Sequence, residues 1–345
     1  MKTRVNLDKM VEDLKSTPKI YHPSIFWENL NKHHNDQLNN SGLLNFKRSI
    51  NGKYFGFGWN IPAIMIHEFF PFINSLIRGN ILPYISGEFQ DYDSGLSKEI
   101  KKFNPLSAYF YKTYICNLFD YVSQQDKHEI FNRLDEPLVG NPFTVEYRGK
   151  KLSQDLCNSV HELYSATKTQ DMSKINNVVE IGAGYGRLAY VFLKTLSKIN
   201  YTIIDIPPAL FVSQWYLSKI FPSSEIFFYR RFKSYQEIKK EYESSRIRFL
   251  MADQIELLPR KSVDLMINIS SLHEMKREQI KNFISEMDRL TKGFCYIKEW
   301  QRSRTKDNSW IKQNEYPIPK KWKVISSRFP HPIQSWFFDT LYEIQ

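Results

Sequence analysis

The sequence predicts an α/β fold, in which a mostly parallel sheet with helices on both faces is preceded by a mostly helical N-terminal region. Three observations carry this expectation. From about residue 170, short β-branched runs alternate with segments of helical period, which is the pattern of parallel strands joined by helical crossovers. The first such run leads straight into a glycine-rich turn, Gly182-Ala-Gly184-Tyr-Gly186, and then into a helical segment. Before residue 170 the chain holds helix-like stretches, many aromatics, and the turn signals Asn51-Gly52, Gly56-Phe-Gly58, Asn104-Pro105 and Asn141-Pro142. The expected division is therefore residues 1–170, mostly helical, and residues 171–345, the sheet domain.

The second half is justified element by element. Asn177 to Ile181 is a short buried strand rich in β-branched residues. Gly182 to Gly186 is a turn. Arg187 to Lys198 is a helix, with Leu188, Val191, Phe192, Thr195 and Ile199 on one side at helical spacing. Tyr201 to Ile204 is a second strand ending at Asp205. Pro207-Pro208 then opens a helix, because proline is tolerated in the first helical turn. Arg246 to Met251 and Ser262 to Ile269 are the third and fourth strands. Glu274 to Leu290 is a helix with Ile280, Phe283, Ile284, Met287 and Leu290 on one face and Gly293 as its stop. Phe294 to Lys298 is a fifth strand. Lys323 to Ser327 and Trp336 to Ile344 complete a seven-stranded sheet.

Composition bounds the rest. A chain of 345 residues with 42% hydrophobic residues can bury a large core. Its polar opening, Met1-Lys-Thr-Arg-Val-Asn-Leu-Asp, does not read as a secretory signal. No apolar run reaches the roughly 18 residues of a membrane helix. The nearest, Ile61 to Ile77, is interrupted by His67, Glu68 and Asn74 and reads as a buried helix. Three widely spaced cysteines, Cys116, Cys157 and Cys295, make neither a disulfide framework nor a zinc ribbon, so the expected compartment is the cytoplasm. The net charge of +11 suits an anionic partner or a merely well-solvated surface, since the Lys and Arg are scattered.

The chemistry concentrates at the strand ends. Glycines serve where the backbone turns sharply and a ligand lies against it. A helix N-terminus offers unpaired N–H groups that suit a carboxylate or a phosphate. Dinucleotide and S-adenosylmethionine (SAM) sites share this device. Here the spacing is Gly-x-Gly-x-Gly, tighter than the dinucleotide Gly-x-Gly-x-x-Gly. Glu180 precedes the first glycine by two positions, where it could serve the SAM ammonium group. Asp205, followed by Ile206, could accept from both ribose hydroxyls. Asp253, in Met251-Ala-Asp-Gln254, could accept from the adenine amino group. The competing reading of Asp205 and Asp253 is that they cap helices or turns. The expected cofactor residues are Glu180, Gly182, Ala183, Gly184, Gly186, Asp205, Ile206, Asp253, Gln254 and Asn268.

These residues resemble class I SAM-dependent methyltransferases, which implies a Rossmann-like seven-stranded methyltransferase sheet. Three segments look more specifically like the sugar O-methyltransferase family: Asp205-Ile-Pro-Pro-Ala-Leu210, Asn268-Ile-Ser-Ser271-Leu-His-Glu274-Met275, and Phe26-Trp27-Glu28-Asn-Leu30 followed by Asn45-Phe46-Lys47-Arg48. The resemblance implies SAM as cofactor and a sugar, nucleotide-sugar or glycan acceptor; the region 1–170 is expected to serve as a cap over the cofactor, a substrate-binding wall or a homodimer surface. The expected base is His273, since the intrinsic proton affinity of an imidazole suits chemistry near neutral pH, or Glu274, which lies within the matching pattern. Solvent-facing or helix-capping roles compete for both. Ser271, Trp300 and Tyr164 are candidates for the acceptor side. No Asp/Asn-Pro-Pro-Tyr motif of amino-methylating enzymes follows the fourth strand, which favours an oxygen acceptor. No paired Asp-Asp or His/Cys cluster demands a metal, and none is expected. RNA methylation, a non-catalytic SAM-fold scaffold and NAD-linked oxidation are the competing functions. The charge speaks for the first of these, but no RNA-binding signature supports it.

Overall fold

The computed structural model describes residues 5–49, 88–90, 105–168, 171–304 and 310–344. The turn signals at 51–58, Asn104 and the segment 61–77 lie outside the described residues. Contacts divide the chain into two units. One takes Met1–His33, Ser165–His331 and Trp336–Gln345, and the other takes His34–Tyr164 and Pro332–Ser335.

In chain order, α1 (Val5–Lys15) and α2 (Ile25–Ser41) come first, then the single turn α3 (Phe46–Ser49), β1 (Glu88–Gln90) and α4 (Pro105–Ser123). A hairpin follows, β2 (Thr144–Tyr147) and β3 (Lys150–Leu152), with β1 antiparallel to β2. α5 (Gln154–Ala166) leads out of this unit. Here the Asn45-to-Arg48 segment is structural. The Lys47 Nζ pairs with Glu136 at 2.5 Å, and the Ser153 hydroxyl donates to the same carboxylate at 2.7 Å. The Arg48 guanidinium sits 4.0 Å from the Phe143 ring centre and donates from Nε to the Asn141 carbonyl at 2.8 Å. Both charges are buried, and both have the partners that burial demands. The Phe26 side chain of the same signature lies outside the described residues.

The sheet begins with β4 (Asn177–Ile181), α6 (Arg187–Thr195), β5 (Asn200–Asp205) and α7 (Ala209–Ser218). It continues with β6 (Ile226–Phe227), α8 (Tyr235–Ser244), β7 (Ile247–Met251), β8 (Val263–Ile269), α9 (Arg277–Leu290) and β9 (Thr291–Trp300). A small hairpin, β10 (Arg302–Arg304) and β11 (Trp310–Lys312), precedes β12 (Lys323–Arg328) and β13 (Phe337–Glu343). The sheet order is β12-β13-β9-β8-β4-β5-β7-β6. The strands from β9 to β6 run parallel, and β13 pairs antiparallel with both β9 and β12. The fold is the expected α/β sheet with helical crossovers, with one strand more than the seven expected. β6 is two residues long, too short to leave a periodic trace in the sequence.

Two helix ends also differ from expectation. α6 stops at Thr195 rather than Lys198, because Arg246 donates to the Leu193 and Leu196 carbonyls at its end. α9 begins at Arg277 rather than Glu274, because Leu272–Glu274 forms a separate tight turn. α9 buries Ile280, Phe283, Ile284, Met287 and Leu290 against the sheet, its expected apolar face. Gly293 lets β9 approach β8, since a Cβ there would lie 2.3 Å from the Asp264 carbonyl oxygen. α7 has no polar face, and Ala209 through Leu217 are all buried. A helix apolar all round must be covered on every side. The sheet covers one side and α1 packs on another. Among the described residues, no helix is long and apolar enough to cross a membrane.

Met287→Ala, which empties a fully buried site on α9, is expected to cost about 2–5 kcal/mol in urea unfolding. The exposed Lys281→Ala on the same helix should stay within about 0.5 kcal/mol.

Candidate functional site

The carboxyl ends of β4, β5, β7, β8 and β9 share one edge of the sheet, the edge where open α/β sheets bind ligands. The first loop there depends on three glycines with positive φ: Gly182 (+73°), Gly184 (+59°) and Gly186 (+85°). At Gly182 the absent side chain also leaves room for a neighbour. A Cβ would lie 2.2 Å from the Ser271 hydroxyl oxygen, so the β8–α9 connection packs directly on the glycine backbone. Ala183 is buried beside it.

Asp205 ties the first loop to the second. Its Oδ2 accepts from the Gly184 N–H at 2.9 Å, and its Oδ1 accepts from the Ile206 N–H at 2.7 Å. Burial pushes its carboxyl up to about 7, opposed by the two N–H bonds from Ile206 and Gly184 and reinforced by the nearby Glu274 charge. Glu180 is buried one strand over and accepts from the Tyr201 hydroxyl at 2.7 Å. Asn268, at the end of β8, donates to the Ile181 carbonyl at 2.9 Å and to Ser271 Oγ at 3.3 Å. Its Oδ1 is buried without a protein partner, which normally costs free energy and marks a place where a donor is wanted.

At the end of β7, Asp253 is held by Arg231, with Nη1 2.8 Å from Oδ1. Gln254 stands apart from its expected role as a ligand. It is fully buried, its Oε1 accepts from the Met251 N–H at 2.9 Å, and its Nε2 donates to the Arg230 carbonyl at 2.9 Å. Its amide is committed to shaping the turn. Tyr164 falls in the other unit, where its hydroxyl donates to Asp126 at 2.6 Å and accepts from the His128 N–H at 3.0 Å.

The β8–α9 connection is organised by a residue that sequence reasoning passes over. Glu299, fully buried near the end of β9, accepts from the Ser271 N–H (3.0 Å), the Leu272 N–H (3.0 Å) and the His273 N–H (3.3 Å). It also holds the His273 imidazole at Nδ1 in a close hydrogen bond. The signal that could have found it is position: an acid at the end of the strand beside β8, next to Trp300. His273 is thereby buried rather than solvent-facing, while its Nε2 points toward Glu274 Oε1 at 3.8 Å, beyond hydrogen-bond reach. The Trp300 indole stacks on the His273 ring at 5.2 Å and stays 39% exposed. The structure thus gathers Gly182 to Gly186, Asp205, Asn268, Ser271, His273, Glu274 and Trp300 along one edge. Among the described residues, no group of three or more His, Cys, Asp or Glu is arranged to hold a metal ion.

No protein-family model matches the sequence. No curated protein matches it. Among solved structures the chain is similar to a SAM-dependent methyltransferase from Aquifex aeolicus, at 13% identity and TM-score 0.32 over 55% of this chain and 92% of that one. It is similar to an rRNA methylase from Escherichia coli, at 12% identity and TM-score 0.36 over 56% of this chain and 66% of that one. It is also similar to a SAM-dependent methyltransferase from Leishmania major, at 15% identity and TM-score 0.34 over 55% of this chain and 71% of that one.

Gly182→Ala should destabilise the protein by more than the ~1–2 kcal/mol of a left-handed alanine, because the new methyl meets Ser271. Adding Ser271→Gly should recover the excess, read as a favourable coupling in a double-mutant cycle of urea unfolding.

Proposed function

We propose that the chain is a SAM-dependent methyltransferase that methylates a hydroxyl of a sugar or sugar conjugate. The observation that carries this reading is the pairing of a glycine cradle, pinned to Asp205, with a carboxylate-held histidine on the neighbouring connection. The residues fit the cofactor on three counts. The loop turns at the end of β4 through three glycines with positive φ. Carboxylates stand at successive strand ends. The orphaned Asn268 Oδ1 calls for a donor such as an ammonium or an N–H group. In this reading the glycine loop and Glu180 receive the methionine end, Asp205 accepts from the ribose hydroxyls, and Asp253 accepts from the adenine amino group. When bound, SAM supplies an electrophilic methyl on a sulfonium.

The chain's own part is to orient the acceptor and take its proton. Glu299 fixes the imidazole with Nδ1–H as donor, so Nε2 is the nitrogen that a substrate hydroxyl would meet. The same carboxylate stabilises the imidazolium once the proton arrives, as the buried acid does in a Ser-His-Asp triad. Glu274 adds negative charge without occupying Nε2. The half-exposed Trp300 offers an indole beside that histidine, suited to the C–H face of a sugar ring. The segments Asp205 to Leu210 and Asn268 to Met275 support the sugar class through the family they resemble.

Two measurements test this. In calorimetry, SAM and S-adenosylhomocysteine should bind and NAD should not; NAD binding without SAM binding would overturn the reading. Asp205→Ala should weaken binding ~10–100-fold. Because the ligand requires the ionised carboxyl and that carboxyl titrates at about 7 in the free protein, wild-type affinity should rise with pH up to about 7 and then level off. A flat profile from pH 5.5 to 8.5 would count against the ribose role.

With radiolabelled SAM, label should pass to nucleotide sugars or glycans. Label entering only RNA would replace the sugar acceptor. His273→Ala should reduce kcat ~10²–10⁴-fold while leaving cofactor affinity intact. Glu299→Gln should reduce kcat and move the acidic limb of the kcat profile to lower pH, since imidazolium loses its anionic partner. An unmoved limb would assign Glu299 a purely structural role.

A further inference from the structure

The N-terminal segment, about 160 residues before the first strand of the sheet, reaches the adenine end of the proposed site. α1 buries Met10 and Leu14, packing against α7. At the end of α1, Asp13 Oδ2 accepts from the Tyr229 hydroxyl at 2.9 Å. That hydroxyl also lies 3.8 Å from Met251 Sδ, and Met251 pairs with Asp205 across the sheet. Arg231, two residues along the chain from Tyr229, grips Asp253. Asp13 thus holds Tyr229 in the same short segment, Tyr229–Arg231, that supplies the Asp253 partner.

The second grip lies six residues beyond α1. Tyr21 is buried in the turn Lys19–Tyr21, and its hydroxyl donates to Glu256 at 2.5 Å. Glu256 belongs to the same turn, Ala252–Leu257, that carries Asp253. Tyr21 is itself anchored to α9. Asn282 Nδ2 donates to its hydroxyl at 3.0 Å, its ring meets Phe283 edge-on at 5.7 Å, and Gln279 Nε2 donates to the carbonyls of Ile20 (2.9 Å) and His22 (2.8 Å). The turn is therefore held at both ends by one short stretch of chain, which is fastened to two helices of the sheet domain.

We propose that residues 5–22 form a strap that fixes the adenine-side turn, with Asp13 and Tyr21 as positioning residues that set selectivity for a 6-amino purine. The inference rests on the SAM reading. A carboxylate discriminates an amino group from a carbonyl only when its oxygens are held still, because a mobile one turns away from the repulsive partner. One Arg231 nitrogen reaches both Asp253 oxygens, at 2.8 Å and 2.7 Å, and each oxygen keeps a further lone pair for such an acceptance. The strap supplies the stillness.

The test compares S-adenosylhomocysteine with S-inosylhomocysteine, which carries an oxo group in place of the amino group, by calorimetry on the full chain. The wild type should prefer the adenosyl compound. Asp13→Asn with Tyr21→Phe should lower adenosyl affinity ~10-fold and barely change inosyl affinity, so that the preference collapses. An unchanged preference in a variant with wild-type circular dichroism would overturn the strap. If the wild type bound neither compound, the cofactor reading itself would fall, and the strap with it. Should the double variant not fold, hydrogen exchange on the wild type decides. S-adenosylhomocysteine should protect residues 10–22 and 252–257 together, and protection of 252–257 alone would overturn the proposal.

Discussion

A carboxylate removed from water has to be surrounded by donors, and Glu299 is surrounded by four. Three are consecutive backbone N–H groups, those of Ser271, Leu272 and His273, and the fourth is the His273 ring. The consequence reaches beyond the pair. Once the chain after β8 is wrapped around that carboxylate, its course is fixed. Ser271 is pressed onto Gly182, Asn268 is turned toward the Ile181 carbonyl, and Glu274 is left near Asp205. The geometry of the first and fourth loops therefore hangs on one side chain at the end of the fifth strand. Removing one partner of such an assembly leaves buried groups unpaired, which is more costly than the assembly is stabilising.

Negative charge is the second organising constraint. Glu180, Asp205, Asp253, Glu274 and Glu299 all belong to the carboxyl ends of strands or the connections just beyond them. Two of them are satisfied from within the sheet domain: Glu299 by hydrogen bonds from N–H groups and the imidazole, Asp253 by the Arg231 cation. Asp205 has two N–H bonds and no cation, and the Glu274 charge stands near it. A site so arranged favours a ligand with hydroxyl and ammonium donors over one bearing a pyrophosphate. The choice between SAM and a dinucleotide thus has an electrostatic basis besides the glycine spacing.

How much of this was legible in the sequence follows from how far apart the interacting residues are. β4 matches its expected bounds, Asn177 to Ile181, because a β-branched run ending at a glycine turn is a local signal. The apolar face of α9 was equally local. Glu299 left only its position at a strand end as a trace, because its partners lie 26 to 28 residues away and its immediate neighbours, Lys298 and Trp300, suggest nothing about burial. Gln254 misleads for the complementary reason. Proximity to Asp253 suggested a ligand, whereas its amide satisfies two backbone groups that the turn would otherwise strand. α7 carried half a message. Its lack of a polar face said that something covers it, but not that the cover, α1, comes from about 200 residues earlier.

In the proposed reading, the acceptor side is governed by the contrast between His273 and Trp300. The histidine is buried and fastened at Nδ1, while the tryptophan stacked on it keeps over a third of its surface in water. A large aromatic side chain loses free energy by staying exposed, roughly 25 cal/mol for each Å² of apolar surface. Trp300 meets Phe337 only edge-on, at 6.0 Å. Its ring lies nearly parallel to the imidazole, at 30°. The stacking limits how the imidazole can tilt, and the exposed indole is left available to an incoming ring. An acceptor that covers the indole would exclude water from the neighbourhood of Nε2. Within a drier site the imidazolium–carboxylate attraction is stronger. In the proposed reading, binding of the acceptor ring and basicity of the histidine would be coupled through one tryptophan, linking recognition of a ring to removal of the proton from its hydroxyl.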